Sequence, residues 1–177
     1  MSKHSYQLIA ASYGSVEQGE TILKMIQDMS QAQNIKIGDS ALVMKTEEGK
    51  IEVKETKELT GRKGARRGAI ILGTIGLIFP PSFIASIVVG GGFGALAGKL
   101  RDTGIKSDEL EQFAQNLEPG HVAVLVLTDS GSVTKVTNSL QGYDGMIVTE
   151  PIDADATAKM VEAEPPVEIV ESEATTG

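Results

Sequence analysis

Thirty-one consecutive residues, Gly68 to Gly98 (GAIILGTIGLIFPPSFIASIVVGGGFGALAG), carry no charge in a chain of 177 that is otherwise polar and acidic. Ten of the twenty glycines lie between Gly61 and Gly98. A block of this kind must be covered by lipid, by the rest of its own chain or by another copy, because a monomer seldom leaves so large an apolar patch in water. Pro80 and Pro81 divide it. A proline inside a helix removes a hydrogen bond and costs about 3 kcal/mol, and a proline also pushes the preceding residue out of helical angles. The block is therefore expected to form a helical hairpin, with arms at Gly68–Phe79 and Ser82–Gly98 and the reversal at Pro80 and Pro81. At about 1.5 Å per residue the arms are roughly 18 and 25 Å long, whereas a bilayer core of about 30 Å takes about 20 residues.

The second arm carries small residues four apart: Ser82, Ser86, Gly90, Gly94 and Gly98. On a helix this spacing makes a flat strip along which another helix can approach backbone to backbone. Ala65, Ala69 and Gly73 make a shorter strip on the first arm. The expected oligomer contacts are thus Ser82, Ser86, Gly90, Gly94, Gly98 and Gly73. Each glycine costs a helix about 1 kcal/mol relative to alanine, which close packing has to offset. Six bases flank the block: Arg62, Lys63, Arg66 and Arg67 before it, Lys99 and Arg101 after it. A hairpin gathers them at its open end, where they suit anionic headgroups and cytoplasmic placement of both ends. The same bases suit pairing with Asp102, Asp108 and Glu109 if protein alone buries the hairpin. Both forms of burial stay open at this level.

The chain on either side reads as α+β. YQLIAASY (Tyr6–Tyr13) has the length of a strand, Gly14 breaks it, and Ser15 is placed to cap a helix with Gln18 three residues on. Val16, Ile22, Met25, Ile26 and Met29 keep helical spacing, and the helix fades near Gln33 and Asn34. DSALVMKTEEGKIEVKE is a hairpin turning at Glu47-Glu48-Gly49, its second half (Ile51 to Glu55) alternating like an edge strand. SDELEQFAQNL opens at Ser107 and sets Leu110, Phe113, Ala114 and Leu117 on one helix face, with acids at its positive end. Pro119-Gly120 stops it. HVAVLVLT is the continuous apolar run of a central strand. SVTKVTNSL is a short helix and GMIVTEPI the last strand.

Gly-Ser-Val recurs after both apolar strands, in IAASYGSVEQ and LVLTDSGSVTK. Each leads into a helix and then a strand. Two βαβ halves packed together predict a ferredoxin-like sheet with helices on one face, an inserted strand and the apolar hairpin. The expected domains are 1–60 (first half plus hairpin strand), 61–106 (glycine-zipper insert), 107–152 (second half) and 153–177 (acidic tail). Eight acids and one base lie from Glu150 to Gly177, so this stretch carries −7 and the remaining 149 residues −1. Repulsion of polyanions is therefore a property of the tail more than of the body. So acidic a tail reads as disordered, although Val167, Ile169 and Val170 would suit a strand added to a neighbour's sheet edge.

Little points to chemistry. The absence of cysteine removes disulfides, thiolate zinc sites and cysteine nucleophiles. Gly92 to Ala97 matches Gly-x-Gly-x-x-Ala, but within a helical pattern instead of between a strand and a helix. Asp153, Asp155, Thr157 and Glu164 resemble a calcium loop that has Ala158 where the turn needs glycine. His4 and His121 lack partners, and the bases lack the interleaved aromatics of a nucleic-acid surface. The start of the chain does not read as a signal peptide. No catalytic residue, cofactor, metal or nucleic acid is expected.

Several stretches together resemble a bacterial family of membrane proteins of uncharacterised function. They are GDSALVMKTEEGKIEVKET, the glycine block with its IFPPS break, GALAGKLRDTGI and LEPGHVAVLVLTD. The resemblance implies a ferredoxin-like body with an inserted glycine-zipper hairpin, and implies no catalytic residue. The expectation is a non-enzymatic, self-associating protein whose partner is itself, with an anionic membrane surface as a second partner. It would sit in the cytoplasm or on the inner face of the cytoplasmic membrane. The rival class is a soluble ligand-binding or catalytic α/β domain whose hairpin is buried within a homo-oligomer.

Overall fold

The computed structural model describes residues 6–32, 35–56, 75–76, 78–79, 84–86 and 108–152. Its elements in chain order are β1 (Tyr6–Tyr13), α1 (Val16–Gln31), β2 (Ile37–Lys45), β3 (Ile51–Thr56), β4 (Ile84–Ser86), α2 (Asp108–Asn116), β5 (Val122–Asp129), α3 (Val133–Leu140) and β6 (Ile147–Ile152). Local chemistry explains their ends. Ser15 is extended (φ −149°, ψ 155°) and its Oγ accepts the Gln18 N–H at 3.2 Å, as a helix N-cap should. Gly49 has φ +77° in the β2–β3 turn, where its N–H donates to the Thr46 carbonyl at 2.9 Å.

The strands form one sheet in the order β4-β3-β2-β5-β1-β6. Every neighbouring pair is antiparallel except β3 and β4, which run parallel. The register pairs Ala10 with Leu125 and Leu125 with Ala41 across the centre. All seven residues from Val122 to Thr128 are buried. Alternation then sends two apolar sets to opposite sides, and each needs its own cover. On one face Ile9, Ala11, Leu42, Val124 and Val126 pack under Ile22, Leu23 and Ile26 of α1 and Val136 and Leu140 of α3. On the other, Leu8, Ala41, Val43, Leu125 and Leu127 pack under Leu110 and Phe113 of α2.

This overturns the ferredoxin-like arrangement with helices on one face. The sheet has six strands in an order that sets β3 and β4 beyond β2, and helices cover both of its faces. β1 lies between β5 and β6, while β5 lies between β1 and β2. The physical reason is that β1 and β5 are apolar on both sides, so each is satisfied only at the centre of a covered sheet. β3 is likewise no edge strand, because β4 pairs along its outer side.

The apolar block also departs from the expected pair of helices. Ile75, Gly76 and Ile78 are helical, and the Phe79 N–H donates to the Ile75 carbonyl at 2.9 Å. Beyond the prolines, Ile84–Ser86 is a strand, where the spacing predicted a second helix. A parallel pair requires the chain between its strands to return along the sheet. Ile75, Ile78 and Phe79 lie on that return and are buried in the cluster on the α2 face. Burying side chains of this size is worth about 1.5–3 kcal/mol each.

At the opposite edge, the Ser12 N–H donates to the Met146 carbonyl at 3.0 Å. This sets the parity of the β1–β6 ladder, so Ile147, Thr149 and Pro151 turn their main-chain groups away from β1. Pro151 has no N–H, so within β6 the outward donors are those of Ile147 and Thr149. A proline placed this way limits further strand pairing.

Candidate functional site

Of the residues expected to mediate association, only Ser86 is among those described. It lies in β4, paired in register with Glu52, instead of on a helical strip. Gly73, Ser82, Gly90, Gly94, Gly98, the reversal at Pro80 and Pro81, and the bases Arg62, Lys63, Arg66, Arg67, Lys99 and Arg101 lie outside the described residues, as does the tail from residue 153. The structure does place Ile75, Gly76, Ile78 and Phe79 of the block. The candidate site is therefore the sheet face that receives them.

That face is built from small and large residues in rows. Val148, Ala10, Leu125 and Ala41 form one row across β6, β1, β5 and β2, and Glu150, Leu8, Leu127 and Asp39 form the next. Alanines at two strand crossings leave depth for cover from above, and Ile75, Ile78, Phe79 and Phe113 belong to the same cluster. Asp39 carries a carboxylate on this face at 3% exposure, and one of its oxygens accepts the Ser40 N–H at 2.8 Å. Sequence reasoning missed Asp39. It stands at the polar start of the strand in DSALVMK, and only the cross-strand match with Leu127 puts it beside the apolar rows.

The polar groups at the strand ends are spent on structure. The Lys36 N–H donates to Ser132 Oγ at 2.9 Å, Thr128 Oγ1 donates to the Lys36 carbonyl at 2.6 Å, and the Ser132 N–H donates to Asp129 Oδ1 at 2.8 Å. Together they tie the entry of β2 to the β5–α3 turn. Ser132 therefore supplies no side-chain cap to α3. The exposed Lys36–Asp129 ion pair at 4.0 Å adds little. At the other end, the LEPGH turn is bound to β2. The Gly120 N–H donates to the Lys45 carbonyl at 2.7 Å, and Lys45 Nζ donates to the Leu117 carbonyl at 2.8 Å. His121 lies 3.6 Å from Glu118, a neighbour its sequence did not suggest. Among the described residues no three His, Asp or Glu side chains are grouped to hold a metal ion.

Tyr13 is the other polar group of note. It is 2% exposed, its hydroxyl has no hydrogen-bond partner, and Tyr143 meets its ring edge-to-face at 6.4 Å between centroids. Burial, with a smaller contribution from Tyr143, pushes its pKa up to about 12 from the ordinary 10. The folded state thus holds the proton more tightly than the unfolded chain. Relative stability is undisturbed below pH 10 and is lost as the pH rises from about 10 toward 12. Tyr13→Phe is expected to remove that alkaline loss. At pH 7 it should also raise stability by about 1 kcal/mol, since an orphaned buried hydroxyl costs about 1–3 kcal/mol. Urea unfolding at pH 7 and pH 11 checks both; a variant less stable than the parent at both pH values would refute the account.

The fold and site define a class: a sheet platform, covered on both faces, that takes part of an apolar insert into its own core. The chain belongs to the family described as a protein of unknown function, DUF1269, whose sequence model matches residues 65–164. No curated protein and no solved structure matches it. The match agrees with the expected uncharacterised family and extends to neither membrane location nor a glycine zipper. It takes in the apolar block and the elements from α2 to β6. β1 and β2, the two neighbours of β5, fall outside the matched span. Among the described residues no helix is long and apolar enough to cross a membrane.

Proposed function

We propose that the protein is a non-enzymatic, self-associating platform whose sheet body carries the glycine-rich block and whose partner is a second copy. The observation that carries the reading is how the body covers its inner sheet face: with α2 and with Ile75, Ile78 and Phe79 of the block itself. The rest of the block keeps its apolar character and has Gly90, Gly94 and Gly98 four apart. An identical strip on another copy gives such a segment close backbone contact. Pro151 favours association through the block over extension of the sheet at β6. The six flanking bases, each worth about 1 kcal/mol toward anionic headgroups, support association at the inner face of the cytoplasmic membrane as part of this reading.

The test is Gly94→Leu, with Gly94→Ala as the small-side-chain control. Leucine holds two helices apart where alanine still lets them approach, so Gly94→Leu is expected to reduce the oligomer to monomer while Gly94→Ala keeps it. Sedimentation velocity with and without detergent reads the mass. An unchanged mass in Gly94→Leu would end the reading.

A further inference from the structure

All the sulfur of this chain is thioether, since it has six methionines and no cysteine. Met25 is half-buried on α1 and packs against the core that α1 and α3 cover. Its Sδ accepts the Tyr143 hydroxyl at 3.8 Å, a bridge across 118 residues of chain from α1 to the 141–146 loop. The Tyr143 ring also meets Tyr13 edge-to-face. Two hydrogen bonds between Ser12 and Met146 lace the same loop to β1. Tyr143 is therefore held where α1, β1 and the loop come together.

A thioether is a weak acceptor for a phenol. Oxidation turns it into a polar sulfoxide, which in an apolar core breaks packing. At Met25 a donor already faces the sulfur. An oxygen added to Sδ on the side of Tyr143 stands one covalent bond nearer the phenol, and the 3.8 Å separation leaves room for a bent O–H···O contact of about 2.7–2.8 Å. The new oxygen is met by a hydroxyl that the thioether engages only weakly.

We propose that Met25 is a modification site: a hydroperoxide oxidises its sulfur to the sulfoxide, and Tyr143 then clamps the 141–146 loop to α1 more firmly than before. The sulfur lone pair attacks the terminal peroxide oxygen, so that an S–O bond forms as the O–O bond breaks. Sulfur gives up two electrons. The peroxide is reduced to water or an alcohol, and its proton moves to the leaving oxygen. A methionine sulfoxide reductase returns the thioether, which makes the clamp reversible. The site is separate from the glycine-rich block, and its test does not depend on self-association.

The full chain and its Met25→Leu variant are treated in parallel with hydrogen peroxide and followed by peptide mass mapping and amide hydrogen exchange. Met25 is expected to gain one oxygen. In each protein the exchange rate across residues 141–146 after oxidation is divided by the rate before it. Met25→Leu carries the contribution of the other methionines, and the ratio in the parent is expected to be about threefold lower. Tyr143→Phe keeps the ring and removes the donor, so oxidation of that variant is expected to speed exchange in the loop. A Met25 still unoxidised when Met146, 37% exposed, has fully reacted would overturn the site. A ratio in the parent equal to or above that of Met25→Leu would overturn the clamp. Equal slowing in Tyr143→Phe would overturn Tyr143 as the group that holds the sulfoxide.

Discussion

A Gly145→Ala variant is expected to lose about 3 kcal/mol or more of folding stability and about 6–12 °C in Tm, although the substitution adds one methyl group. A Cβ at this position would run into the Ser12 carbonyl oxygen and would stand 3.0 and 3.2 Å from two ring carbons of Tyr13. Neither neighbour can give way. Ser12 is the point where β1 is laced to β6: its N–H donates to the Met146 carbonyl at 3.0 Å and its Oγ accepts the Met146 N–H at 3.3 Å. β1 is also paired along its whole length with β5 on its other side. Tyr13 is fixed between Tyr143 and the α1 face. The approach of the 141–146 loop to β1 therefore requires a residue without a side chain. Urea and thermal unfolding measure the effect, and a change under about 0.5 kcal/mol would mean that the loop has room the structure does not give it.

Phe113→Ala is expected to cost about 3–5 kcal/mol, the range for emptying a large aromatic site in a core. Phe113 is 0% exposed and sits on α2 in the cluster that holds Ile75, Ile78 and Phe79. The cavity would open beneath both covers of that face at once. Besides the loss of stability, amide hydrogen exchange at Ile75, Ile78 and Phe79 should accelerate, because these residues lose part of the surface they rest on. Leu140→Ala, on the opposite face, removes comparable packing from α3 and should leave exchange at Ile75 to Phe79 near the parent rate once global stability is allowed for. A Phe113→Ala protein with unchanged exchange there would separate the block from the α2 face and weaken the proposed function with it.

Much of the local structure was legible. Ser15 stood before a run with helical spacing and caps α1. Gly49 closed a hairpin of alternating residues and takes a positive φ there. HVAVLVLT had no polar alternation and became the central strand. These readings depend on neighbours within a few residues, which the chain order supplies directly. The site was less legible. Asp39 stood only as the polar start of a strand until pairing with β5 set it in a row with Leu127 and Leu8. Ile84 to Ser86 looked like part of a helix because small residues recur every four positions, and the edge of β3 drew them into a strand. Tyr13 gave no sign in the sequence that its hydroxyl would be buried without a partner.

By itself the sequence determined where most strands and helices begin and end, and which stretches are apolar enough to demand cover. Periodicity, capping and proline geometry act over one or two turns of chain, and no distant residue is needed to apply them. Only the tertiary structure decided the order of the strands, the covering of both sheet faces and the placing of Ile75, Ile78 and Phe79 in the body's own core. Those outcomes depend on which apolar surfaces meet across long separations in sequence, and an apolar run is equally satisfied by any cover until the competing surfaces are assembled in space.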